Sequence, residues 1–290
     1  MNKKSLFLVA ILCLASAFAF AQSVDSGAKA YENGDYKGAL STLDKALENP
    51  KLKDKALAKG HYYRAMAKSV YVRKNKEDLS EAVIKTAEDH AVTASADLAK
   101  ARMHDKDEKL TAEIKEAQKQ LNEYLLDLAG HCGLAAKKDG SKTEAEKKDL
   151  YERMIVLCAP VLKHDKFNYR SYEFTADAQL ALGDSAKALE NYKKADSWFF
   201  RSAPKNGDQA IAFTYIHIAQ LEWKLNGNFD GAIEALEEGR KVLGGESKKI
   251  QSFGSGTAAS KGFYSEQHKL YMTDIQQAEV EIRAEAGKPK

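Results

Sequence analysis

The chain has 290 residues, which is long enough to bury a sizeable core. Because 44% of the residues are hydrophobic, the chain is not disordered. Its 18 Gly and 4 Pro are too few turn-forming residues for an all-β sandwich, so the composition favours an all-α protein. The 45 basic and 42 acidic residues alternate along the chain and leave a net charge of only +3, which excludes the basic footprint of a nucleic-acid-binding protein.

The N-terminal residues 1–21 have the organisation of a secretory signal peptide. Two lysines precede fifteen residues without a charge, and Ala19-Phe20-Ala21 then sets small residues around a large one. We therefore expect cleavage after Ala21, leaving a mature chain over 22–290 in the periplasm or outside the cell. The uncharged stretch is shorter than a membrane-spanning helix requires, and no later stretch reaches that length, so we expect no membrane span after cleavage.

Three segments of the chain share one residue spacing. In each, a Gly-Asp or Gly-Asn pair is followed at the same intervals by a small, a large and a small residue: Gly34-Asp35 by Ala39, Leu43 and Ala46; Gly183-Asp184 by Ala188, Tyr192 and Ala195; Gly227-Asn228 by Ala232, Leu236 and Gly239. Glycine ends one helix in a left-handed conformation, and Asp or Asn caps the next helix. Each segment therefore predicts a helix hairpin.

These segments resemble the tetratricopeptide repeat, a helix-turn-helix unit of about 34 residues. The resemblance implies an all-α fold, a right-handed α-α superhelix built as a solenoid of about five hairpins and a C-terminal capping helix. The expected single domain comprises clear repeats near 24–50, 168–201 and 208–243, divergent hairpins over 54–103 and 107–164, and a capping helix over 262–286.

By the same resemblance, the first helix of each hairpin lines a concave groove that binds a peptide or protein. The function expected is a non-enzymatic interaction scaffold or adaptor of the cell envelope, with no cofactor. The residues assigned to the groove are His61, Arg64, Lys68, Arg170, Asp177, His217 and Lys224. We expect their charged side chains to be exposed. Because cations recur on this face and Lys68 is followed by Arg73, Lys74 and Lys76, the sequence predicts an acidic partner.

A second hypothesis is a periplasmic small-molecule-binding protein or carrier that serves a transporter. Aromatic residues gather in the C-terminal half of the chain, and Trp198, Phe199 and Phe200 cannot all face one side of a helix. These three residues are the candidate aromatic site. An apolar pocket enclosed by them would favour the carrier, whereas an open charged groove would favour the adaptor.

Cys132 and Cys158 are the cysteines of the mature chain. A hairpin that turns near Gly140 sets Cys132 opposite residues near 148, which places Cys158 about 15 Å away along the helix. Because a disulfide requires Cα atoms within about 7 Å, we predict two free thiols. The spacing of Cys and His matches no compact zinc-ligand pattern, so we expect no metal site.

Overall fold

The computed structural model describes residues 23–74, 81–138, 140–202, 211–244 and 266–287, and the regular secondary structure within these ranges is entirely α-helical. The all-α prediction is confirmed. In chain order the helices are α1 over 23–32, α2 Tyr36–Leu47, α3 Asp54–Lys74, α4 Glu81–His104, α5 Thr111–Lys138, α6 Glu144–His164, α7 Tyr169–Ala181, α8 Ser185–Ser202, α9 Ile211–Asn226, α10 Phe229–Leu243 and α11 Glu266–Glu285.

Neighbouring helices pack on one another along the chain. Helix α3 packs on α4, α7 on α8 and α9 on α10, while α2 also contacts α3 and α8 also contacts α9. In the first hairpin, a Cβ added to Gly27 of α1 would come within 2.6 Å of Leu43 Cγ of α2, so the two helices approach as closely as glycine allows. Helix α11 packs Ile275 and Ala278 against Leu236, as expected of a capping helix.

Local chemistry at the turns explains why these hairpins form. Gly34 and Gly183 have φ of +82° and +86°, the left-handed conformation that ends a helix at little cost only for glycine. After the first of these turns, Asp35 Oδ1 accepts a hydrogen bond from the Gly38 amide at 2.9 Å. Asn228 Oδ1 caps α10 in the same way, with the Gly231 amide at 3.0 Å.

The chain divides into two compact units, the first ending at Leu128 and the second beginning at Ala129, so that α5 contributes to both. In unit 1, Val24, Leu43 and Ala46 form a buried cluster that stacks the first hairpin on α3. In unit 2, the core is larger and includes the fully buried Tyr192 and Tyr215.

The two cysteines lie in unit 2, where both are free and buried, as predicted for their redox state. The predicted register between α5 and α6 is wrong. A Cβ at Gly133 would lie 3.2 Å from Met154 Sδ, so α5 faces a part of α6 only one turn before Cys158. The Met154 side chain packs where Gly133 has none, and counting outward from the turn could not reveal that contact. Burial raises the pKa of the Cys158 thiol to about 12, and neighbouring Cys132 adds to that shift.

Candidate functional site

Three predicted groove residues of α3 converge in unit 1 on one carboxylate, Asp97 of α4. His61 Nδ1 lies 3.0 Å from Asp97 Oδ1, and Lys68 Nζ donates to Oδ2 at 2.9 Å. Arg64 donates twice, from Nε to Oδ2 at 2.9 Å and from Nη2 to Oδ1 at 2.6 Å. A further bond runs from Arg64 Nη1 to Asp44 of α2 at 3.0 Å. These five residues form an ion cluster that joins three helices.

The expectation that these cations stand exposed is wrong. The side chains of Arg64 and Lys68 are only 17% and 15% exposed, and Asp97 is 2% exposed. A stripe of charges at intervals of three and four residues looks the same whether water or a buried carboxylate faces it, and here α4 supplies the carboxylate. The role of Arg64 and Lys68 in binding a partner stays a prediction. In the structure, both contact Asp97 inside the α3/α4 hairpin.

Electrostatics explain why Asp97 can be buried. Burial alone raises the pKa of this carboxyl, but hydrogen bonds from His61, Arg64 and Lys68 outweigh burial and hold the pKa well below its usual range. The carboxylate is therefore ionised at neutral pH. A buried ion remains stable only while its partners are in place, so this cluster fixes the geometry of the first helices in unit 1.

Unit 1 also presents an aromatic surface that the sequence analysis missed. Tyr31 of α1, Tyr36 of α2, and Tyr62 and Tyr63 of α3 are each half-buried and form a continuous set, here called the tyrosine face. Ring centroids lie 5.5 Å apart for Tyr31 and Tyr36, 5.6 Å for Tyr31 and Tyr63, and 5.2 Å for Tyr62 and Tyr63. Tyrosines on three helices, up to 32 positions apart, give no local pattern that sequence inspection could detect.

The tyrosine face exists because α1 and α3 lie side by side. Lys59 Nζ contacts Asp25 Oδ1 at 2.7 Å, and the Tyr63 hydroxyl donates to Glu32 Oε1 at 2.7 Å. A Cβ at Gly60 would lie 2.9 Å from Leu47 Cδ2, so glycine at this position allows α3 to approach α2 closely. This close packing holds the rings of α3 against those of the first hairpin.

Cations border the tyrosine face. Lys74 Nζ lies 5.0 Å from the ring centroid of Tyr36, and Lys59 Nζ lies 5.9 Å from that of Tyr63. Arg73 lies over the Tyr124 ring at 5.6 Å. These distances are within the range of cation–π attraction. Lys76, predicted to extend this basic run, lies outside the described residues.

The phenols of Tyr31, Tyr62 and Tyr63 are neutral at physiological pH. Burial raises the pKa of Tyr31 and of Tyr62, and burial together with the hydrogen bond to Glu32 raises the pKa of Tyr63 to about 12. The face therefore combines uncharged hydroxyl groups with ammonium and guanidinium groups. Such a surface can bind carboxylates and apolar side chains together.

In unit 2 the structure brings Asp177 and His217 together beside Tyr192. The Tyr192 hydroxyl donates to Asp177 Oδ1 at 2.6 Å, and Lys137 Nζ lies 3.3 Å from Asp177 Oδ2. The ring of His217 stacks on Tyr192, with centroids 4.9 Å apart and an interplanar angle of 20°. Burial lowers the pKa of His217, against the opposing effect of Asp177, and so favours the neutral ring.

The other predicted groove residues of unit 2 have different environments. Arg170 and Lys224 are exposed, as expected. Leu221, which lies between His217 and Lys224 on α9, is buried in a cluster with Tyr192 and Ile218. Helix α9 packs on both α8 and α10, which leaves less of its surface exposed than its charge pattern suggests.

In the described residues, the candidate aromatic site is part of the hydrophobic core of unit 2. The ring centroids of Trp198 and Phe167 are 4.5 Å apart. The buried ring of Phe199 and the ring of Tyr169 form a T-shaped pair, with centroids 5.0 Å apart. Both Trp198 and Phe199 pack with Ile211. The side chain of Phe200 lies outside the described part of the chain. Interhelical packing explains the positions of Trp198 and Phe199.

Across the described ranges, no group of three or more His, Cys, Asp or Glu side chains is arranged to hold a metal ion. None of the helices that the structure describes combines the length and apolar character needed to cross a bilayer.

Comparisons with known proteins place the chain in no family. No protein-family model matches it, and no curated protein matches it. Among solved structures, the chain is similar to the "TPR2AB-domain:pHSP90-complex of yeast Sti1", with 15% sequence identity over 89% of this chain and 99% of that chain, and with a TM-score of 0.29. That score is too low to support an inference, so the tetratricopeptide-like organisation rests on the hairpins and their turns.

Proposed function

We propose that this protein is a non-enzymatic interaction scaffold that binds a protein or peptide partner on the tyrosine face of unit 1. The observation that carries the proposal is the continuous contact of four half-buried tyrosines on three helices. Tyrosine is enriched at binding surfaces because its rigid ring supplies a large contact area at a small cost in conformational entropy, while its hydroxyl satisfies polar groups.

The partner is an acidic segment. Lys74 is exposed, and its Nζ lies over the ring of Tyr36. Arg73 borders the same face and approaches Tyr31, whose pKa it lowers against the effect of burial. Carboxylates entering beside these cations gain charge-assisted hydrogen bonds from guanidinium or ammonium groups, and neutral phenols add further donors.

The proposed setting is the cell envelope, and it is supported by the signal-peptide organisation of residues 1–21, which lie outside the described part of the chain. The alternative is a small-molecule carrier with a pocket enclosed by aromatic residues of the C-terminal half, for which Trp198, Phe199 and Phe200 were the candidate site. Because Trp198 and Phe199 pack into the core of unit 2, that site offers the carrier hypothesis no support.

Photo-crosslinking in producing cells tests the proposal. A benzoylphenylalanine at position 62 replaces a half-buried tyrosine of the face, and the matched control places the same group at Tyr172, a half-buried tyrosine of α7 in unit 2. We expect irradiation to attach another polypeptide at position 62 and not at position 172, with the crosslinked segment, identified by mass spectrometry, rich in Asp and Glu. Equal crosslinking at both positions, or no protein adduct at position 62, would refute the proposed face.

A further inference from the structure

Unit 2 contains an open cleft where three helices meet at their ends. The last turns of α5 and α7 and the first two turns of α6 enclose a volume of about 600 Å³. Its walls include the side chains of Lys137, Glu144, Lys147, Lys148, Tyr151 and Leu182. A cleft of this volume lies within the range of small-molecule sites, roughly 300–1,000 Å³.

The charge in the cleft is predominantly positive. Three of the named lining residues are lysines and one, Glu144, is acidic. Glu144 accepts a hydrogen bond from Lys147 at 2.8 Å, which raises the pKa of that lysine and keeps it charged. Like charges that share one cleft repel one another, and the positive potential between them attracts anions.

Two of these lysines are held only loosely by the protein. Lys137 Nζ lies 3.3 Å from Asp177, and Lys148 Nζ lies 3.8 Å from Glu152. Both distances exceed the roughly 2.7–2.9 Å of a strong charge-assisted hydrogen bond. Because these contacts are long and the two lysines are 56% and 66% exposed, their ammonium groups can turn toward a ligand while giving up little stabilisation.

Apolar and aromatic groups complete the cleft. Tyr151 and Leu182 form part of the wall, together with Ala136 and Ala181. They can contact the carbon frame of a ligand while the ammonium groups bind its charges. Binding several anionic groups at once would also relieve the repulsion among the lysines, which a monovalent anion does less well.

We propose that this cleft binds a small organic anion that carries two or more carboxylate or phosphate groups. The site is separate from the tyrosine face, because every residue that lines it belongs to unit 2. It therefore stands or falls independently of the interaction proposed for unit 1.

Isothermal titration of the full mature chain with citrate, and separately with inorganic pyrophosphate, tests the site and distinguishes carboxylate from phosphate ligands. Replacing Lys147 and Lys148 by Gln should weaken binding of the preferred anion about tenfold, since it removes two partly exposed charge contacts. The charge-matched control replaces Lys163 and Lys241, two exposed lysines of unit 2 outside the cleft, by Gln and should leave the affinity unchanged.

Circular dichroism of both double variants verifies that the helices are intact. Binding of either anion that depends on Lys147 and Lys148 but not on the control pair supports the proposal and identifies the preferred group. Failure of both anions to bind the wild type at millimolar concentration would overturn it. Equal weakening of binding by the cleft and control variants would also overturn the proposal. Tighter binding of a polyglutamate peptide than of citrate would overturn it as well, because the occupant would then be a polypeptide.

Discussion

Arg64 binds Asp97 through two nearly parallel hydrogen bonds, with Nε 2.9 Å from Oδ2 and Nη2 2.6 Å from Oδ1. This bidentate pair joins the two helices of the second hairpin at a position that water scarcely reaches, since Asp97 is 2% exposed. The geometry is that of a strong charge-assisted pair, and its importance to the fold follows from what happens when one partner is removed.

Replacing Asp97 with Asn should destabilise the protein by about 3 kcal/mol, because Arg64 and Lys68 would be left partly buried without their counter-charge. Urea unfolding monitored by circular dichroism measures the change in the free energy of unfolding. The control is Asp44→Asn, which removes a 56% exposed partner of the same Arg64 and should cost less than about 1 kcal/mol. If both variants cost the same, the cluster is not centred on Asp97.

The cluster also predicts how stability depends on pH. The pKa of Asp97 in the folded protein lies well below its value in the unfolded chain, about 3.9. A group with a depressed folded pKa stabilises the fold above its unfolded pKa, and this contribution is lost as the pH falls through the folded pKa. The wild type should therefore lose more unfolding free energy than Asp97→Asn between about pH 5 and pH 2.

Denaturant unfolding of the two proteins at a series of pH values supplies the comparison. Other acids with depressed pKa values, such as Glu222 and Glu279, contribute equally to both proteins, so the difference between the two curves isolates Asp97. Parallel curves would show that Asp97 does not gain its stabilisation from these cations.

The buried thiols of unit 2 should be unreactive in the folded protein. Burial raises the pKa of Cys158 to about 12, which leaves almost no thiolate at neutral pH, and Cys132 is fully buried. A thiol reagent such as DTNB is expected to report no reaction with the native protein and two free thiols per chain in denaturant without reductant. Detection of no thiols after unfolding would mean that the two cysteines are bridged.

Export should leave a shortened chain. The two lysines, the uncharged stretch and Ala19-Phe20-Ala21 predict that the mature protein begins at Gln22. The intact mass of natively produced protein should lack the contribution of residues 1–21. Retention of these residues in protein isolated from its own cells would contradict both the cleavage and the envelope setting.

The hairpins could be predicted from the sequence because their determinants are local. Gly34 and Asp35, or Gly227 and Asn228, end one helix and cap the next within a few residues, and the structure uses them in that way. The turn chemistry requires no knowledge of the tertiary fold. The three hairpins that carry these turns follow from it.

The environment of the candidate site could not be predicted because its determinants are distant in the sequence. Asp97 lies 33 residues after Arg64, and nothing in the charge pattern of α3 indicates which of its faces will meet α4. The tyrosine face depends likewise on Gly60, whose missing side chain allows the close approach of α3 to α2. Such relationships appear only when the helices are packed.

One consequence concerns charge reversal on α3. Replacing Arg64 or Lys68 by Glu would set a second carboxylate against buried Asp97, so these variants should unfold the hairpin before they report on binding. Lys74 is the better probe, since it is exposed and borders the tyrosine face without entering the ion cluster.

The most direct test of the proposed interaction is a dissociation constant. Titration measures it for the acidic segment that is crosslinked at position 62, binding to the wild type and to Lys74→Glu. We expect the variant to bind about tenfold more weakly at low salt and to differ less as salt increases, because surface charge contacts are screened. Lys241→Glu, an equal charge change on α10 of unit 2, should leave the constant unchanged. Equal affinities for the wild type and Lys74→Glu at low salt would contradict the assignment of the tyrosine face as the binding surface.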